Sequence, residues 1–217
     1  MFFETNPFLY KATIMNKALL YIHGKNGSAD EANHYKKFFA DYEVIGLYYN
    51  EQTPWDTKEE FIKAYNRISE QYKCIIIIAN SIGAYFAMNA FSDKNIMRAF
   101  FISPITNMEK LITGMMFYAG VSENELREKG EISTSYGETL SWKYLCYVRD
   151  NPIVWNVPTD ILYGEKDHLV SEEVISEFAK QHQARLTIMK DGEHWFHTEE
   201  QTEFMDNWLK ECLKREA

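Results

Sequence analysis

The run Cys74-Ile75-Ile76-Ile77-Ile78-Ala79 restricts what this chain can fold into more than any other stretch. Four consecutive β-branched residues favour an extended backbone. With no polar alternation, a strand built from them is buried on both faces, which needs a layer of structure on each side. The run leads through Asn80-Ser81-Ile82-Gly83-Ala84 into Tyr85-Phe86-Ala87-Met88-Asn89-Ala90-Phe91, a helical pattern. A serine with a very small residue two positions before it (Ala79) and two after it (Gly83) marks a turn tight enough to push its hydroxyl out beyond the strand. A flanking side chain larger than hydrogen or methyl collides with neighbouring backbone there. The first flank is alanine rather than the usual glycine.

The rest of the chain repeats the strand-then-helix rhythm. Strands are expected over residues 18–23, 44–49, 74–79, 97–103, 160–163 and 184–189. Helices are expected over 30–41, 57–72, 171–181 and 198–213, besides the one after Ser81. Ser28 or Asp30 is the expected cap of the first helix, and Thr57 with Glu60 the capping box of the second. A weak strand at residues 9–14 is a further candidate. Met15 is an alternative start that would leave residues 1–14 as an extension. Strands alternating with helices of this length predict an α/β fold, a mainly parallel sheet of about six to seven strands with helices on both faces. In such sheets functional groups collect at the C-terminal strand ends.

Those ends carry distinct residues. His23-Gly24-Lys25-Asn26-Gly27-Ser28 follows the first strand, and its glycines allow a sharp turn with N–H groups facing the sheet edge. Ser81 ends the third. Gly164-Glu165-Lys166-Asp167-His168 and Lys190-Asp191-Gly192-Glu193-His194-Trp195-Phe196-His197 follow the last two. Serine, then acid, then histidine is one of the chain orders that hydrolytic triads adopt.

With His23-Gly24, Ala79-Asn80-Ser81-Ile82-Gly83, Tyr163-Gly164-Glu165-Lys166-Asp167 and Gly192-Glu193-His194 in this order, the sequence resembles the α/β-hydrolase family over nearly its whole length. The resemblance implies Ser81 as nucleophile, His194 as general base and Asp167 as the carboxylate that orients the imidazole. It also implies backbone N–H groups of Ile82 and of Lys25, or alternatively Asn26, as oxyanion donors. An imidazole is needed because a serine hydroxyl is a poor nucleophile until its proton is taken during attack. His197 competes with His194 for the base. His23 is either a loop-bonding residue or part of the substrate pocket, and His168 is expected to face solvent. Asp160 precedes its strand and lies at the wrong sheet end.

Residues 106–157 break the rhythm and show no obvious strand. In the family such insertions form a cap, so a single domain over 1–217 with 106–157 as a small helical cap is expected. Its Met115, Met116, Phe117 and Trp142 are expected to line an apolar substrate pocket. The implied activity is that of a cofactor-free serine hydrolase, carboxylesterase-like, on a small ester or thioester. Thioesterase, lipase-like and amidase or peptidase activities remain open. So does a catalytically silent member of the fold that binds a small molecule or protein.

Composition bounds the partners. A net charge of −9 opposes binding to nucleic acid or an anionic membrane, and no window approaches the eighteen or so apolar residues of a membrane span. The start of the chain lacks a signal-peptide pattern. Three scattered cysteines suggest neither a disulfide framework nor a metal cluster, which makes a reducing cytoplasm the default location. A metal held by His23, His194 and His197 lacks ligand spacing to support it.

Overall fold

The computed structural model describes residues 16–50 and 53–215. The candidate strand at 9–14 lies outside them. Eight strands form among the described residues: β1 Lys17–Ile22, β2 Glu43–Gly46, β3 Cys74–Asn80, β4 Arg98–Ile102, β5 Glu131–Ser133, β6 Thr139–Ser141, β7 Thr159–Gly164 and β8 Arg185–Met189. A 3-10 helix spans Ala29–Lys37. The α-helices are α1 Pro54–Ser69, α2 Ile82–Phe91, α3 Met108–Ala119, α4 Glu123–Lys129, α5 Trp142–Asp150, α6 Glu172–Gln181 and α7 Glu199–Lys214.

Six strands make one sheet in the order β2-β1-β3-β4-β7-β8, with every pairing parallel. Because side chains alternate along a strand, the sheet divides its apolar residues between two cores. Ala18, Leu20, Ile22, Ile75, Ile77, Ala79, Ala99, Phe101, Ile161 and Tyr163 enter the core shared with α1, α2 and α6. Leu19, Tyr21, Ile76, Ile78, Phe100, Ile102 and Leu162 enter the other, beneath the 3-10 helix and α7. The isoleucine run is therefore buried on both sides, as its composition requires.

Several local expectations change. The second helix starts at Pro54 rather than Thr57. Thr53 caps it, accepting the Asp56 N–H at 3.4 Å. Proline fits a first helical position because its missing N–H would have no partner there. Thr57 is buried instead, its hydroxyl donating to the Thr53 carbonyl. The first helix is a 3-10 helix, and Ser28 closes a reciprocal capping box with Glu31. Residues 106–157 do contain strands: β5 and β6 form an antiparallel hairpin, each only three residues long. Runs this short carry no readable alternation.

The same segment packs on the α1/α2 face. Met116, Leu126, Leu140, Leu145 and Val148 join the larger core. Trp55 meets Tyr144 and Tyr147, and the Tyr147 hydroxyl donates to Asn89 at 3.2 Å. Among the described residues no helix is long and apolar enough to cross a membrane.

At the N-terminal end of the sheet, Asp160 of β7 is buried between two arginines. Arg98 of β4 donates to it at 2.6 and 3.0 Å, and Arg185 of β8 at 2.7 and 2.9 Å. Burial alone raises the Asp160 carboxyl pKa, but hydrogen bonds from Arg185 and Arg98 overcome it and hold the group below its ordinary value. A carboxyl whose folded pKa is depressed adds stability that is present above the unfolded pKa, about 3.9, and is lost as pH falls through the folded value. Asp160→Asn removes the carboxylate charge that faces Arg185 and the buried Arg98 and is expected to cost about 3–5 kcal/mol. Thermal melting from pH 7 down to about pH 2 checks both points: the variant melts lower near neutrality and loses less on acidification.

Candidate active site

Ser81 sits at the join of β3 and α2 with φ 50° and ψ −122°, a backbone conformation costly for a residue with a side chain. Its neighbours hold it there. The Ser81 N–H donates to Ile102 O at 3.0 Å, and its carbonyl accepts the Ile105 N–H at 3.1 Å. Gly83 is required by space, because a Cβ there would lie 2.3 Å from His23 O and 2.8 Å from Ile22 O. The Ala79 methyl, by contrast, fits wholly buried in the larger core. Ser81 occupies the N-cap position of α2, yet its hydroxyl caps nothing there. The first N–H groups of the helix, that of Ile82 foremost, thus remain at the positive end of its dipole.

The Ser81 hydroxyl instead faces His194, with Oγ to Nε2 2.8 Å. His194 Nδ1 lies 2.6 Å from Asp167 Oδ2. Since the carboxylate can only accept, Nδ1 carries the proton and Nε2 is left to accept from serine. The Asp167 side chain is fully buried, and its second oxygen accepts the N–H groups of Leu169 at 2.8 Å and Val170 at 3.0 Å. This fixes the carboxylate before any substrate arrives.

The two loops that bring Asp167 and His194 together are pressed against each other. A Cβ on Gly164 would stand 2.5 Å from the carbonyl oxygens of both Gly192 and Glu193. Lys166 N–H donates to Gly192 O at 2.7 Å, and the Lys166 side chain pairs with Asp191. The loop after β1 closes the other side. Gly27 N–H returns to Gly24 O at 3.1 Å, Asn26 takes φ 62°, and a Cβ on Gly24 would touch Ser81 Cβ at 3.2 Å. Lys25 and Asn26 both face the cavity beside Ser81, and the Lys25 side chain pairs with Glu138 of the 106–157 segment.

That cavity, about 670 Å³, opens on the face of the sheet opposite α2. Tyr21, Tyr35, Ile102 and Met205 form its wall, while Leu169, Trp195 and Phe196 stand near His194. Asn80 and Glu31 also line it, and sequence reasoning singled out neither for the site. The available signal was parity: on β3, Asn80 shares a face with Ile76 and Ile78 and therefore with Tyr21.

The remaining candidates lie elsewhere. Met115, Met116, Phe117 and Trp142 do not line the cavity. Met116 is core, Met115 and Trp142 pack against that core, and Phe117 is 83% exposed. The reason is topological, since the 106–157 segment sits over the α1/α2 face and the cavity lies on the other. His23 is buried behind its loop, stacked on Tyr49 at 4.2 Å, with Nδ1 2.8 Å from Gly24 O. His197 turns away, its Nδ1 against Trp195 O, and His168 is exposed. No group of three or more His, Cys, Asp or Glu side chains among the described residues is placed to hold a metal ion.

Solved structures share this architecture. Est1E from Butyrivibrio proteoclasticus superposes with a TM-score of 0.71 at 15% identity, covering 92% of this chain and 88% of its own. Mouse alpha/beta hydrolase domain-containing protein 10 gives 0.63 at 14% identity, covering 92% and 90%. The Pyrococcus furiosus esterase PF2001 gives 0.56 at 20% identity, covering 92% and 82%. At these identities they show the fold, that of the α/β-hydrolases. No curated protein matches the chain. The sequence does match the family described as Serine hydrolase (FSH1) over residues 10–203, nearly all of its length. The chain therefore belongs to the FSH1 serine hydrolase family, built on an α/β-hydrolase fold.

Proposed function

We propose that the protein is a carboxylesterase-like serine hydrolase that cleaves a small carboxylic ester or thioester through an acyl-enzyme on Ser81. The observation that carries this reading is the unbroken line Ser81–His194–Asp167, at 2.8 and 2.6 Å, on a strained turn at the strand ends. In the proposed reaction Ser81 Oγ attacks the ester carbonyl while His194 Nε2 takes its proton, and Asp167 stabilises the resulting imidazolium. The backbone N–H of Ile82 and that of Lys25, or of Asn26 in its place, receive the charge on the carbonyl oxygen. One such donor typically contributes about 2.7–4 kcal/mol. His194 then protonates the departing alcohol or thiol, and water repeats the sequence to release the acid. No step requires a cofactor.

Family membership and the Pyrococcus furiosus esterase among the fold neighbours support hydrolysis of an ester. The substrate is read as small because the cavity is of ordinary ligand size. Residues 106–157 are proposed as a cap that bears on the site through the Lys25–Glu138 ion pair rather than by lining the cavity. The cysteines at 74, 146 and 212 are free, which suits the proposed reducing cytoplasm.

A fluorophosphonate probe tests the chemistry. Wild type is expected to label at Ser81, and Ser81→Ala to remain unlabelled and lose on the order of 10⁶ in kcat on a nitrophenyl ester. A folded wild type that resists the probe at neutral pH would falsify the proposal and favour a silent binding protein. The cavity assignment has its own test in specificity. Trp195→Ala or Leu169→Ala is expected to raise KM for apolar esters by about three- to tenfold. Phe117→Ala should leave the acyl-length profile where it was, and a shifted profile would return the pocket to the 106–157 segment.

A further inference from the structure

The cavity beside Ser81 has a polar side that the hydrolytic reaction does not use. Asn80, the residue before the nucleophile, donates through Nδ2 to the Tyr21 hydroxyl at 2.8 Å. Tyr21 in turn donates to Glu31 Oε2, and Glu31 Oε1 accepts the Ser28 N–H at 3.1 Å. The direction of this chain is fixed by its ends. Burial, nearby Tyr35 and the Glu31 carboxylate push the Tyr21 hydroxyl well above the usual phenol range, so it stays protonated and gives its one proton to the carboxylate. Its oxygen must then accept, which orients the Asn80 amide. Asn80 Oδ1 is left buried without a partner.

The charges on the cavity wall are unbalanced in the same sense. The basic side chains that reach it besides His194 are already engaged: Lys25 with Glu138, and His34 with Asp206 at 2.6 Å. Among the described residues Glu31 has no basic partner, only the two neutral donors. A carboxylate in this position attracts a cation and repels an anion, and the chain's net charge of −9 acts in the same direction at longer range. Tyr21 and Tyr35 are buried within the wall, whereas Trp195, 73% exposed, stands open at the side of His194. An exposed indole face of this kind holds alkylated ammonium groups without asking them for hydrogen bonds.

We infer that the ester taken by this site carries an ammonium group on the half that enters the cavity, where Glu31 and Trp195 receive it. The inference rests on the esterase reading proposed above, and its test separates the two. Two nitrophenyl esters are compared that differ only at the chain end, one terminating in trimethylammonium and the other in its neutral isostere, tert-butyl. A second pair carries the same two ends on the alcohol side, which assigns the half that enters the cavity. In at least one pair, wild type is expected to prefer the ammonium ester by about five- to tenfold in kcat/KM. That preference should shrink as salt is raised and disappear in Glu31→Gln, which keeps an acceptor for the Ser28 N–H.

A ratio at or below one in both pairs overturns the inference while leaving the esterase intact, as would a preference that survives in a Glu31→Gln protein of unchanged melting temperature. Should Glu31→Gln fail to fold, the salt dependence in wild type decides, and a preference insensitive to salt counts against Glu31. If neither ester is turned over, the esterase reading fails by itself. Calorimetric binding of the two esters to Ser81→Ala then decides the cavity's preference without chemistry, equal affinity overturning it.

Discussion

The first turn of α2 passes so close to the end of β1 that residue 83 can have no side chain, and the remaining geometry of the site follows from that approach. A helix that starts so near that a Cβ would lie 2.3 Å from His23 O is entered from β3 through a sharp reversal, and Ser81 takes it with a positive φ. Such a residue typically costs about 1–3 kcal/mol unless its surroundings hold it. Here the end of β4 supplies the hold, through Ile102 O and the Ile105 N–H. The crowding that excludes a side chain at Gly83 also lays the turn after β1 against Ser81, so Ser81 and the candidate oxyanion loop are positioned by one contact.

Asp167 and His194 are placed by a comparable contact at the far side of the sheet. Gly164 and Gly192 let two loops share a volume that Cβ atoms would fill, and the carboxylate between them is tied to two backbone N–H groups before it meets His194. In both places a glycine marks where backbone touches backbone. That is why these loops could be recognised from residues alone: the spacing of glycine, serine, acid and histidine is a local consequence of strand ends meeting.

What the sequence left unread was of another kind. The isoleucine run announced a strand buried on both sides, but burial on both sides does not say which face receives which neighbour. The methionine and aromatic clusters of residues 106–157 looked equally suited to lining a pocket or filling a core, and only the side on which the segment settles distinguishes the two. It settles over α1 and α2, through Trp55, Tyr144 and Tyr147. Asn80 and Tyr21 were within reach of a parity argument along β3, yet Glu31 was not, because its place depends on how a 3-10 helix docks. Thr53 was overlooked for a simpler reason: the Thr57–Glu60 pair has the spacing of a capping box, and Pro54 was the better sign of a helix start.

The parallel sheet thus acts as a partition as well as a scaffold. Ser81, Asp167 and His194 stand along its upper rim, the cavity lies to one side, and residues 106–157 lie to the other. Selection on either side need not pass through the other, since the two cores share backbone but no side-chain layer. Changes within residues 106–157 therefore reach the cavity wall through the Lys25–Glu138 ion pair rather than through a shared core. Changes in the 3-10 helix and α7 reshape the cavity wall without entering the core on which residues 106–157 pack.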